Sequence, residues 1–440
     1  MTARPPLPGG PYLVVGLARS GVAAALVLRA WGEEVVGVDA GGPDVGRLAE
    51  QGVEVHLDDP GVHLLDRVRT LVKSPGVPHS AAVVEAARTR GIAVVGELEL
   101  AWRLLPNDFI AVTGTNGKTT TTELIGHIHR EAGLPVAVAG NVGTAVASLV
   151  GELAPDAAIV CESSSFQLED TIAFAPDAAV LLNITADHLD RHGSMSAYRD
   201  AKLNAFRRQG PHDVAVMPAT LATGLPGEAR RVTFGDAPGA DMTYNADSGT
   251  LRWRGERFIA ADEIRLPGSH NRENAMAAAA VTLARGVDPD AVRAGLRSFR
   301  GVAHRLEPIA ELDGVAYVND SKATNVDSTL VALRSYADGV HLIAGGRTKA
   351  QDFSPLAALV AERCASVHLI GEGAGEIAAA LAPADVPLIF SETLERAVAG
   401  ARSAARPGEV VLLSPACASF DQYPDFEARG DHFRALVEAL

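Results

Sequence analysis

A glycine-bearing turn between a strand and a helix occurs in residues 109–123, which read FIAVTGTNGKTTTTE. Phe109–Thr113 are strand-forming, and the apolar residues within Leu124–Ile128 continue beyond the turn with helical spacing. Backbone N–H groups at a helix N-terminus bind anions, and those of residues 115–118 are expected to point inward. A lysine adds positive charge, and a threonine hydroxyl suits phosphate-bound Mg²⁺. The pattern predicts a nucleotide-phosphate site made of Gly114, Thr115, Asn116, Gly117, Lys118, Thr119 and Thr120.

This turn departs from the strict GxxxxGK[ST] pattern, because position 112 is Val112 instead of glycine. A plain turn with a threonine-rich helix cap is the alternative. That alternative does not require Gly114, Gly117 and Lys118 together, so we favour phosphate binding.

The composition limits the class of protein. A length of 440 residues gives a prior of about three domains. The formal net charge of −15 argues against binding to nucleic acid or to an anionic membrane, so phosphates must meet local cationic pockets. Three cysteines are too few for a disulfide framework, and no apolar run approaches the ~20 residues of a membrane span. Without the apolar core of a signal peptide at its start, the sequence predicts a soluble, cytoplasmic protein.

The first segment begins like a dinucleotide-binding fold. The predicted strand Tyr12–Val15 runs into a turn at Gly16–Gly21, and a second predicted strand, Val35–Val38, is followed by Asp39. Ala18 replaces the glycine that lets a backbone approach a pyrophosphate, so a simple tight turn and a ligand site are equally compatible with this stretch. Asp39 is equally compatible with a ribose contact and with a surface or capping role. A further strand leads into Ser74, Pro75 and Gly76, at the edge where α/β sheets bind ligands.

The middle segment repeats one pattern, an apolar strand followed by polar residues. The predicted strands are 136–139, 157–161 and 178–182, and they are followed by Asn141, Glu162 and the stretch 183–190 that contains His188. This pattern predicts a parallel sheet with helices on both faces. A carboxylate and an imidazole beside the phosphate turn favour a divalent-metal site at Glu162 and His188 over ordinary capping or core roles.

Two further positions of the middle segment leave their roles open. Lys202 lies on a predicted helix, and the residues around it are compatible with a solvated lysine. Asn271 and Asn274 are three residues apart, so both amides lie on one helical face. They suit contacts to an adenine edge, and they are also common residues at helix starts.

The last segment predicts a second α/β sheet after a linker at 299–307. The predicted strands are 315–318, 341–344, 366–370, 386–390 and 410–413. Ser354-Pro355 predicts a helix start with serine as the N-cap and proline at the first helical position. Polar clusters again follow strands, at 319–325, 345–349 and 414–422. These clusters predict a site along one edge of this sheet.

Together these motifs resemble the Mur ligase family. GTNGKTTTTE, NxTxDHLDRH, the Ala-Lys at 201–202, HNxxN, GxxHRxE, NDSKATN, GG–K–DF and SPACASFDQ occur in the order seen in that family, over nearly the whole chain. The resemblance implies an α/β protein of three domains. It assigns 1–105 to a Rossmann-like UDP-sugar domain, 106–300 to a central P-loop-type ATPase domain with a parallel or mixed sheet, and 301–440 to a doubly wound, Rossmann-like domain that closes over amino acid and ATP.

The resemblance also implies an activity. NDSKATN and SPACASFDQ are most similar to the motifs of members that join D-glutamate to UDP-N-acetylmuramoyl-L-alanine through an acyl phosphate, in cytoplasmic peptidoglycan precursor synthesis. ATP and two Mg²⁺ ions are the implied cofactors, and we expect a monomer. A ligase that adds L-glutamate and a folylpolyglutamate-type ligase remain alternatives, and a nucleotide-binding scaffold without activity is a third. One difference from the family pattern is Thr348, where relatives often carry Asp.

Roles for single residues follow from motif position in this resemblance. Lys118 would hold the γ-phosphate and Thr119 the first Mg²⁺, Glu162 and His188 would bind a second Mg²⁺, and Lys202 would be carbamoylated to bridge metal. The residues implied to be catalytic are Lys118, His188, Lys202 and Lys349. Those implied at ATP, besides the phosphate turn, are Asn271, Asn274, Arg305 and Asp320. Those implied at the UDP-sugar and glutamate substrates are Gly16, Ala18, Arg19, Ser20, Gly21, Asp39, Ser74, Gly76, Asn141, Ser164, Lys322, Thr324, Ser419, Phe420 and Phe426.

Overall fold

A computed structural model describes residues 4–141, 143–266, 268–348 and 351–440, with the backbone alone for Asp190 and Asp327. The chain divides into two compact units, Met1–Phe299 and Arg300–Leu440, and each is described by itself. The first unit contains two sheets and the second contains one. The predicted division into three domains therefore stays a prediction. Lys349, a predicted catalytic residue, lies outside the described residues.

The first sheet has five parallel strands in the order β3-β2-β1-β4-β5. The strands are β1 (Tyr12–Val15), β2 (Val35–Val38), β3 (Glu54–His56), β4 (Thr70–Lys73) and β5 (Ala93–Gly96), and the helices are α1 (Arg19–Ala30), α2 (Gly46–Glu50), α3 (Ala82–Thr89) and α4 (Glu97–Leu104). Strands β1, β2 and β4 are buried along their length, because helices cover both faces. The strand order is that of a Rossmann fold, as the sequence predicts. The sequence prediction did not include β3 and β5.

The central sheet has nine strands in the order β14-β13-β12-β11-β10-β9-β6-β8-β7. They are β6 (Phe109–Thr113), β7 (Val136–Gly140), β8 (Ala158–Glu162), β9 (Ala178–Leu181), β10 (Val214–Pro218), β11 (Arg230–Phe234), β12 (Met242–Asn245), β13 (Thr250–Trp253) and β14 (Glu256–Ala260). The helices of this part are α5 (Lys118–Glu131), α6 (Ser165–Leu168), α7 (Leu189–His192), α8 (Met195–Leu203), α9 (Ser269–Ala284) and α10 (Pro289–Ser298). Strand β6 lies between β8 and β9, with Val112 opposite both Glu162 and Val180. The polar residues after these three strands therefore share one edge.

Strands β10–β14 extend this sheet beyond what the sequence predicted. Strands β12, β13 and β14 pair antiparallel, so the sheet is mixed. The turn between β13 and β14 contains Arg254 and Gly255, both with positive φ (50° and 85°). This is the backbone that closes a two-residue hairpin, and an Arg-Gly pair is a weaker signal for it than Asn-Gly.

The third sheet, in the second unit, has the order β15-β16-β20-β17-β18-β19. Its strands are β15 (Glu307–Leu312), β16 (Val315–Asn319), β17 (Val340–Gly345), β18 (Cys364–Ile370), β19 (Leu388–Glu392) and β20 (Val410–Leu413), and its helices are α11 (Val326–Leu333), α12 (Leu356–Arg363), α13 (Ala374–Leu381), α14 (Leu394–Ala404) and α15 (Phe426–Glu438). The unpredicted edge strand β15 is antiparallel to β16 across an Asp313-Gly314 turn. The remaining strands pair in parallel.

One helix start was predicted wrongly in this unit. Helix α12 begins at Leu356 with Pro355 at its N-cap, whereas Ser354 was the predicted cap. The Ser354 hydroxyl instead donates to the Asp352 carboxylate at 2.7 Å, within the turn that precedes the helix. Throughout the part of the chain that the structure describes, no helix has the length and apolar character needed to span a bilayer.

Buried charges connect the first sheet to the central part of the first unit. Lys73 Nζ lies 2.7 Å from the Asp170 carboxylate, and both side chains are buried. The carboxylate of Glu99, on α4, accepts the N–H groups of Ile172, Ala173 and Phe174 at 3.0–3.1 Å. Because each group would be destabilising if it were buried alone, the two sheets of this unit stabilise each other.

Candidate active site

The phosphate turn lies between β6 and α5, at the carboxyl edge of the central sheet. Gly117 is the N-cap of α5 and has the left-handed backbone, with φ of 83°. A Cβ atom there would lie 2.2 Å from Asn274 Oδ1, so the close approach of α9 also requires glycine. Lys118 Nζ donates to the carbonyl oxygens of Gly114 at 3.0 Å and Thr115 at 2.8 Å. Its positive charge therefore lies within the turn.

The inward orientation predicted for all N–H groups of residues 115–118 is wrong for two of them. The N–H groups of Thr115 and Asn116 donate to the Asn183 amide oxygen at 3.1 and 2.8 Å. The Thr115 hydroxyl is also engaged, since it accepts from the Thr185 N–H and the Tyr198 hydroxyl at 3.0 and 3.2 Å. These bonds attach the turn to the residues that follow β9. Asn183 is thus a positioning residue that sequence reasoning missed.

The last two residues of the predicted phosphate site lie at the start of α5, and the predicted adenine residues lie in the first two turns of α9. Thr119 and Thr120 are buried in the first turn of α5. Asn274 is buried on α9 beside Gly117, and its amide donates to Asn271 Oδ1 at 3.2 Å. Both asparagines lie on one face of α9, as predicted, and Asn274 is the one beside the phosphate turn. The adenine contact stays a prediction.

Glu162, the last residue of β8, has a buried oxygen available for a ligand. Its side chain is buried, and Oε1 accepts from the Asn141 amide at 3.0 Å. Oε2 is also buried and has no hydrogen-bond partner. A buried carboxylate oxygen without a partner is costly, and a divalent cation would remove that cost. The arrangement therefore fits a metal ligand.

Lys202, on α8, is buried, so the alternative of a solvated lysine is wrong. Its Nζ donates to the Gly114 carbonyl at 2.7 Å and lies 4.4 Å from the centroid of the Tyr198 ring. Burial, together with the charge of Lys118, lowers the pKa of Lys202 to about 7. The amine is therefore much easier to deprotonate than an ordinary lysine, and it lies directly beside the phosphate turn.

His188 lies at the N-cap of α7 with a left-handed backbone (φ of 51°), a conformation rare for a residue other than glycine. Its ring is about half exposed, its Nε2 lies 3.4 Å from the Asp187 carboxylate, and its centroid is 4.8 Å from that of Phe166. The strained backbone and the exposed ring suit a residue that meets a ligand. Its metal role stays a prediction.

Eight of the predicted UDP-sugar residues line a cavity of about 320 Å³ at the carboxyl edge of the first sheet. The cavity is lined by Gly16, Ala18, Arg19, Ser20, Asp39, Ser74, Pro75, Gly76, Val77, Asn141 and Gln167. Asn141 belongs to the central part, so the cavity joins both sheets of this unit. A second cavity, of about 1030 Å³, lies at the opposite ends of the central strands, next to Arg4, Asp177 and Arg285.

Three of the predicted substrate residues of the first unit have structural roles. The Asp39 carboxylate accepts the N–H groups of Leu17 at 2.6 Å and Gly41 at 2.8 Å. Ser164 caps α6 and exchanges hydrogen bonds with Gln167, a capping box. Gly21 does not line the cavity. A Cβ there would lie 1.8 Å from the Gly16 carbonyl oxygen, so its role is close helix–strand packing.

In the second unit, the buried Arg429 connects the three loops in which the sequence predicted a site. Its guanidinium donates to the Ser321 hydroxyl and carbonyl at 3.0 and 2.9 Å, and to the carbonyls of Cys417 at 3.1 Å, Ala418 at 3.3 Å and Gly345 at 3.5 Å. Burial lowers the pKa of Arg429 to about 10. Sequence reasoning missed this residue, because an arginine inside a helix resembles any surface cation.

Asp320 is also buried among these loops. It accepts from the Ser414 hydroxyl at 2.8 Å and from the Leu306 N–H at 3.1 Å, and burial raises its pKa to about 7. The backbone N–H of Arg305 donates to the Val302 carbonyl at 3.2 Å. The predicted contacts of Asp320 and Arg305 with ATP stay predictions.

The predicted substrate residues of this unit differ in exposure. Ser419 is buried, Lys322 and Thr324 are half-buried, and the Phe420 side chain is 59% exposed. Lys322 Nζ lies 6.0 Å from the ring centroid of Phe426, the first residue of α15. The predicted substrate contacts of these residues stay predictions.

Comparisons with known proteins agree with this architecture. Residues 112–282 match the Mur ligase middle domain, and residues 304–417 match the Mur ligase glutamate ligase domain. The UDP-N-acetylmuramoylalanine–D-glutamate ligase of Pelotomaculum thermopropionicum is 45% identical over 443 residues, which cover 97% of each chain. The protein of the same name from Acidobacterium capsulatum is 42% identical over 98% of this chain and 97% of that chain.

Solved structures share the fold at low sequence identity. The UDP-N-acetylmuramate–alanine ligase MurC from Thermotoga maritima gives a TM-score of 0.61 at 20% identity, over 98% of this chain and 99% of that chain. The MurF ligase from Thermotoga maritima, in complex with ADP, gives 0.58 at 16% identity over 92% and 95%. The class is thus an α/β protein of three open sheets with a phosphate-type turn on the central one, as predicted. The chain belongs to the Mur ligase family.

Proposed function

We propose that the protein is an ATP-dependent ligase that joins D-glutamate to UDP-N-acetylmuramoyl-L-alanine. The observation that carries this proposal is the similarity, at 41–45% identity over 97–98% of this chain, to relatives that bear the name of that activity. The phosphate turn, the cavity of the first sheet and the loop cluster around Arg429 support it, since the reaction needs a place for ATP, a nucleotide-linked sugar and an amino acid.

The proposed reaction has two steps. The terminal carboxylate of the UDP-linked substrate takes the γ-phosphoryl group of ATP, which gives an acyl phosphate and ADP. The glutamate amine then attacks the acyl carbon, loses a proton, and the tetrahedral intermediate expels phosphate to leave the amide. Lys118 would stabilise the negative charge on the transferred phosphoryl group, because phosphoryl transfer depends mainly on positioning and charge neutralisation.

The residues around the phosphate turn fit the divalent cations that this chemistry uses. Thr119 would bind one Mg²⁺, and Glu162, with its unpartnered Oε2, and His188 would bind another. Bound Mg²⁺ would neutralise charge on the phosphate oxygens. Asn141 would keep Glu162 oriented through its hydrogen bond to Oε1.

Lys202 is proposed to carry a carbamate that completes this metal site. A neutral lysine amine adds to CO₂ and releases one proton, which converts a cation into a carboxylate-like ligand. Lys202 suits this reaction because its partner is a carbonyl oxygen, whereas Lys73, the other fully buried lysine among the described residues, is paired with the Asp170 carboxylate. The chain has five lysines, so a single modified one can be resolved.

We expect one ¹³C carbamate resonance when the full-length protein is incubated with ¹³C-bicarbonate. Lys202→Arg should remove the resonance, because a guanidinium does not form a carbamate under these conditions. Lys322→Arg should retain it. A resonance that persists in Lys202→Arg, or a wild-type protein without one, would contradict the assignment.

The proposed function is tested by measuring phosphate release with ATP, Mg²⁺, UDP-N-acetylmuramoyl-L-alanine and either D- or L-glutamate. We expect release with D-glutamate only, and a product whose mass is that of the substrates joined with loss of water. Release with L-glutamate only would change the amino-acid substrate while keeping the reaction type. Release only with a folate acceptor would replace the proposal.

We further propose that the enzyme works in the cytoplasm as a monomer. The proposed UDP-linked substrate and the sparse cysteines support the location. Sedimentation equilibrium of the full-length protein measures the oligomeric state, and a stable dimer would contradict the second part.

A further inference from the structure

A cluster of possible metal ligands lies in the first sheet, in a different sheet from the phosphate turn. His56 ends β3, His63 lies in the short 3₁₀ helix Val62–Arg67, and Asp59 is in the loop between them. One potential ligand atom from each residue lies within 4.8 Å of the other two. Two imidazole nitrogens and a carboxylate oxygen are ligands that Zn²⁺ takes in proteins.

The orientation of His56 is fixed by a neighbouring carboxylate. Its Nε2 lies 2.8 Å from Glu54 Oε1, and Arg67 holds both oxygens of Glu54 at 2.7 and 2.6 Å. The other ring nitrogen, Nδ1, is directed toward Asp59, at 3.9 Å from Oδ2. A carboxylate that accepts from the second nitrogen of a histidine is the usual support of a metal-binding histidine, because it fixes the tautomer and the ring.

Asp59 and His63 provide one fixed and one adjustable ligand. Asp59 Oδ1 accepts the Gly61 N–H at 2.7 Å, which holds the carboxylate, and it lies 3.7 Å from His63 Nδ1. Tetrahedral zinc with bonds of about 2.0–2.1 Å requires ligand atoms about 3.3 Å apart. The His63 side chain is 62% exposed, so its ring can move to bring a nitrogen to the coordination distance.

The neighbouring charges differ between this cluster and the other group of possible metal ligands among the described residues. His79, Glu169 and Asp170 also lie close together, but Lys73 and Arg191 pair with the two carboxylates at 2.7 Å each. A cation there would meet two positive side chains. In contrast, the ion pairs of the described residues join Asp59 to His56 and His63 only.

We propose that His56, Asp59 and His63 form a zinc site with water as the fourth ligand. The proposal goes beyond the ligase function and does not depend on it. The site is connected to the first-sheet cavity, because the Asp39 N–H donates to the His56 carbonyl at 3.0 Å and the Asp59 N–H donates to the Asp39 carbonyl at 3.1 Å. Bound zinc therefore stabilises the loop that carries Asp39, a residue that lines the cavity.

Zinc binding to the full-length protein is measured by competition with a chromophoric chelator, in excess Mg²⁺ to occupy the sites at the phosphate turn. We expect one zinc equivalent in the wild type that His63→Ala lacks, and a 10–100-fold weaker affinity in Glu54→Gln, because the orienting carboxylate is lost. His212→Ala removes an exposed histidine outside the cluster and should bind zinc like the wild type. Equal zinc binding by the wild type and His63→Ala would overturn the proposal.

Hydrogen exchange gives a second readout that needs no substrate. With zinc, the N–H groups of Asp39 and Asp59 should exchange more slowly in the wild type and at an unchanged rate in His63→Ala, because zinc stabilises only the intact site. Equal exchange with and without zinc in the wild type would overturn the link to the cavity. Neither measurement uses the ligase reaction, so failure of the proposed function would leave both results interpretable.

Discussion

Lys118→Ala should lose about 10³-fold in the rate of phosphate release while the protein stays folded. The physical reason is that Nζ lies in the phosphate turn, within 3.0 Å of two carbonyl oxygens, where its charge would stabilise the transferred phosphoryl group. The loss should fall mainly on kcat, since charge on the phosphoryl group is greatest during transfer. The change in kcat is measured by steady-state kinetics of phosphate release at saturating ATP, with the UDP-linked substrate and D-glutamate.

The matched control is Arg130→Ala, which removes an exposed cation from the last turn of the same helix. It should change kcat less than about twofold, because surface charges far from the reacting groups are screened. Thermal unfolding of both variants separates a loss of fold from a loss of chemistry. A Lys118→Ala enzyme with near wild-type kcat would remove Lys118 from the proposed mechanism.

Arg429→Met should destabilise the second unit by about 3 kcal/mol or more, because it leaves buried acceptors unpaired. Those acceptors are the carbonyls of Ser321, Gly345 and Cys417, on the three loops of the predicted glutamate site. On the proposed function, we expect the KM for glutamate to rise at least tenfold, since the loops lose the group that fixes their spacing. Arg429→Lys should recover only part of both losses, because an ammonium lacks the planar fork of five donors.

The control for Arg429 lies on the same helix. Arg434 is about one-third exposed and donates to Glu307 at 2.6 Å, and Arg434→Met should cost less than about 1 kcal/mol. Denaturant unfolding measures the stabilities, and the KM for glutamate measured against that for ATP tests the positioning role. A destabilised Arg429→Met enzyme with an unchanged KM for glutamate would leave Arg429 with a structural role alone.

Local motifs account for what the sequence predicted correctly. The strand, turn and helix around Lys118 are specified within about fifteen residues, so their conformation follows from glycine, threonine and apolar spacing. Strands β1, β2 and β4 of the Rossmann-like sheet are short apolar runs bounded by glycine or polar residues, and they form where predicted. Edge strand β15 escaped prediction because its alternation is interrupted by Pro308, although Asp313-Gly314 is a strong hairpin signal.

Long-range partners account for what could not be predicted. Asn183 satisfies the N–H groups of Thr115 and Asn116 from 67 to 68 positions away, and Arg429 donates to Ser321 from 108 positions away. Pattern reasoning gives the strand edge on which such residues lie, whereas it cannot assign which donor meets which acceptor. Whether a side chain is buried also depends on residues distant in the sequence, since the helical spacing around Lys202 is equally compatible with a buried and a solvated amine.

The buried charges that join the first sheet to the segment near residue 170 also limit how this chain can have been assembled from smaller pieces. A fragment that ended near residue 105 would retain Lys73 without the Asp170 carboxylate, and would retain Glu99 with its Arg103 partner but without the Ile172–Phe174 N–H groups. The uncompensated Lys73 charge alone would cost about 3–5 kcal/mol, which is a large fraction of a small domain's stability. Recombination that exchanged the first sheet would therefore have to exchange its partners near residue 170 at the same time. The two sheets of the first unit are expected to be inherited together.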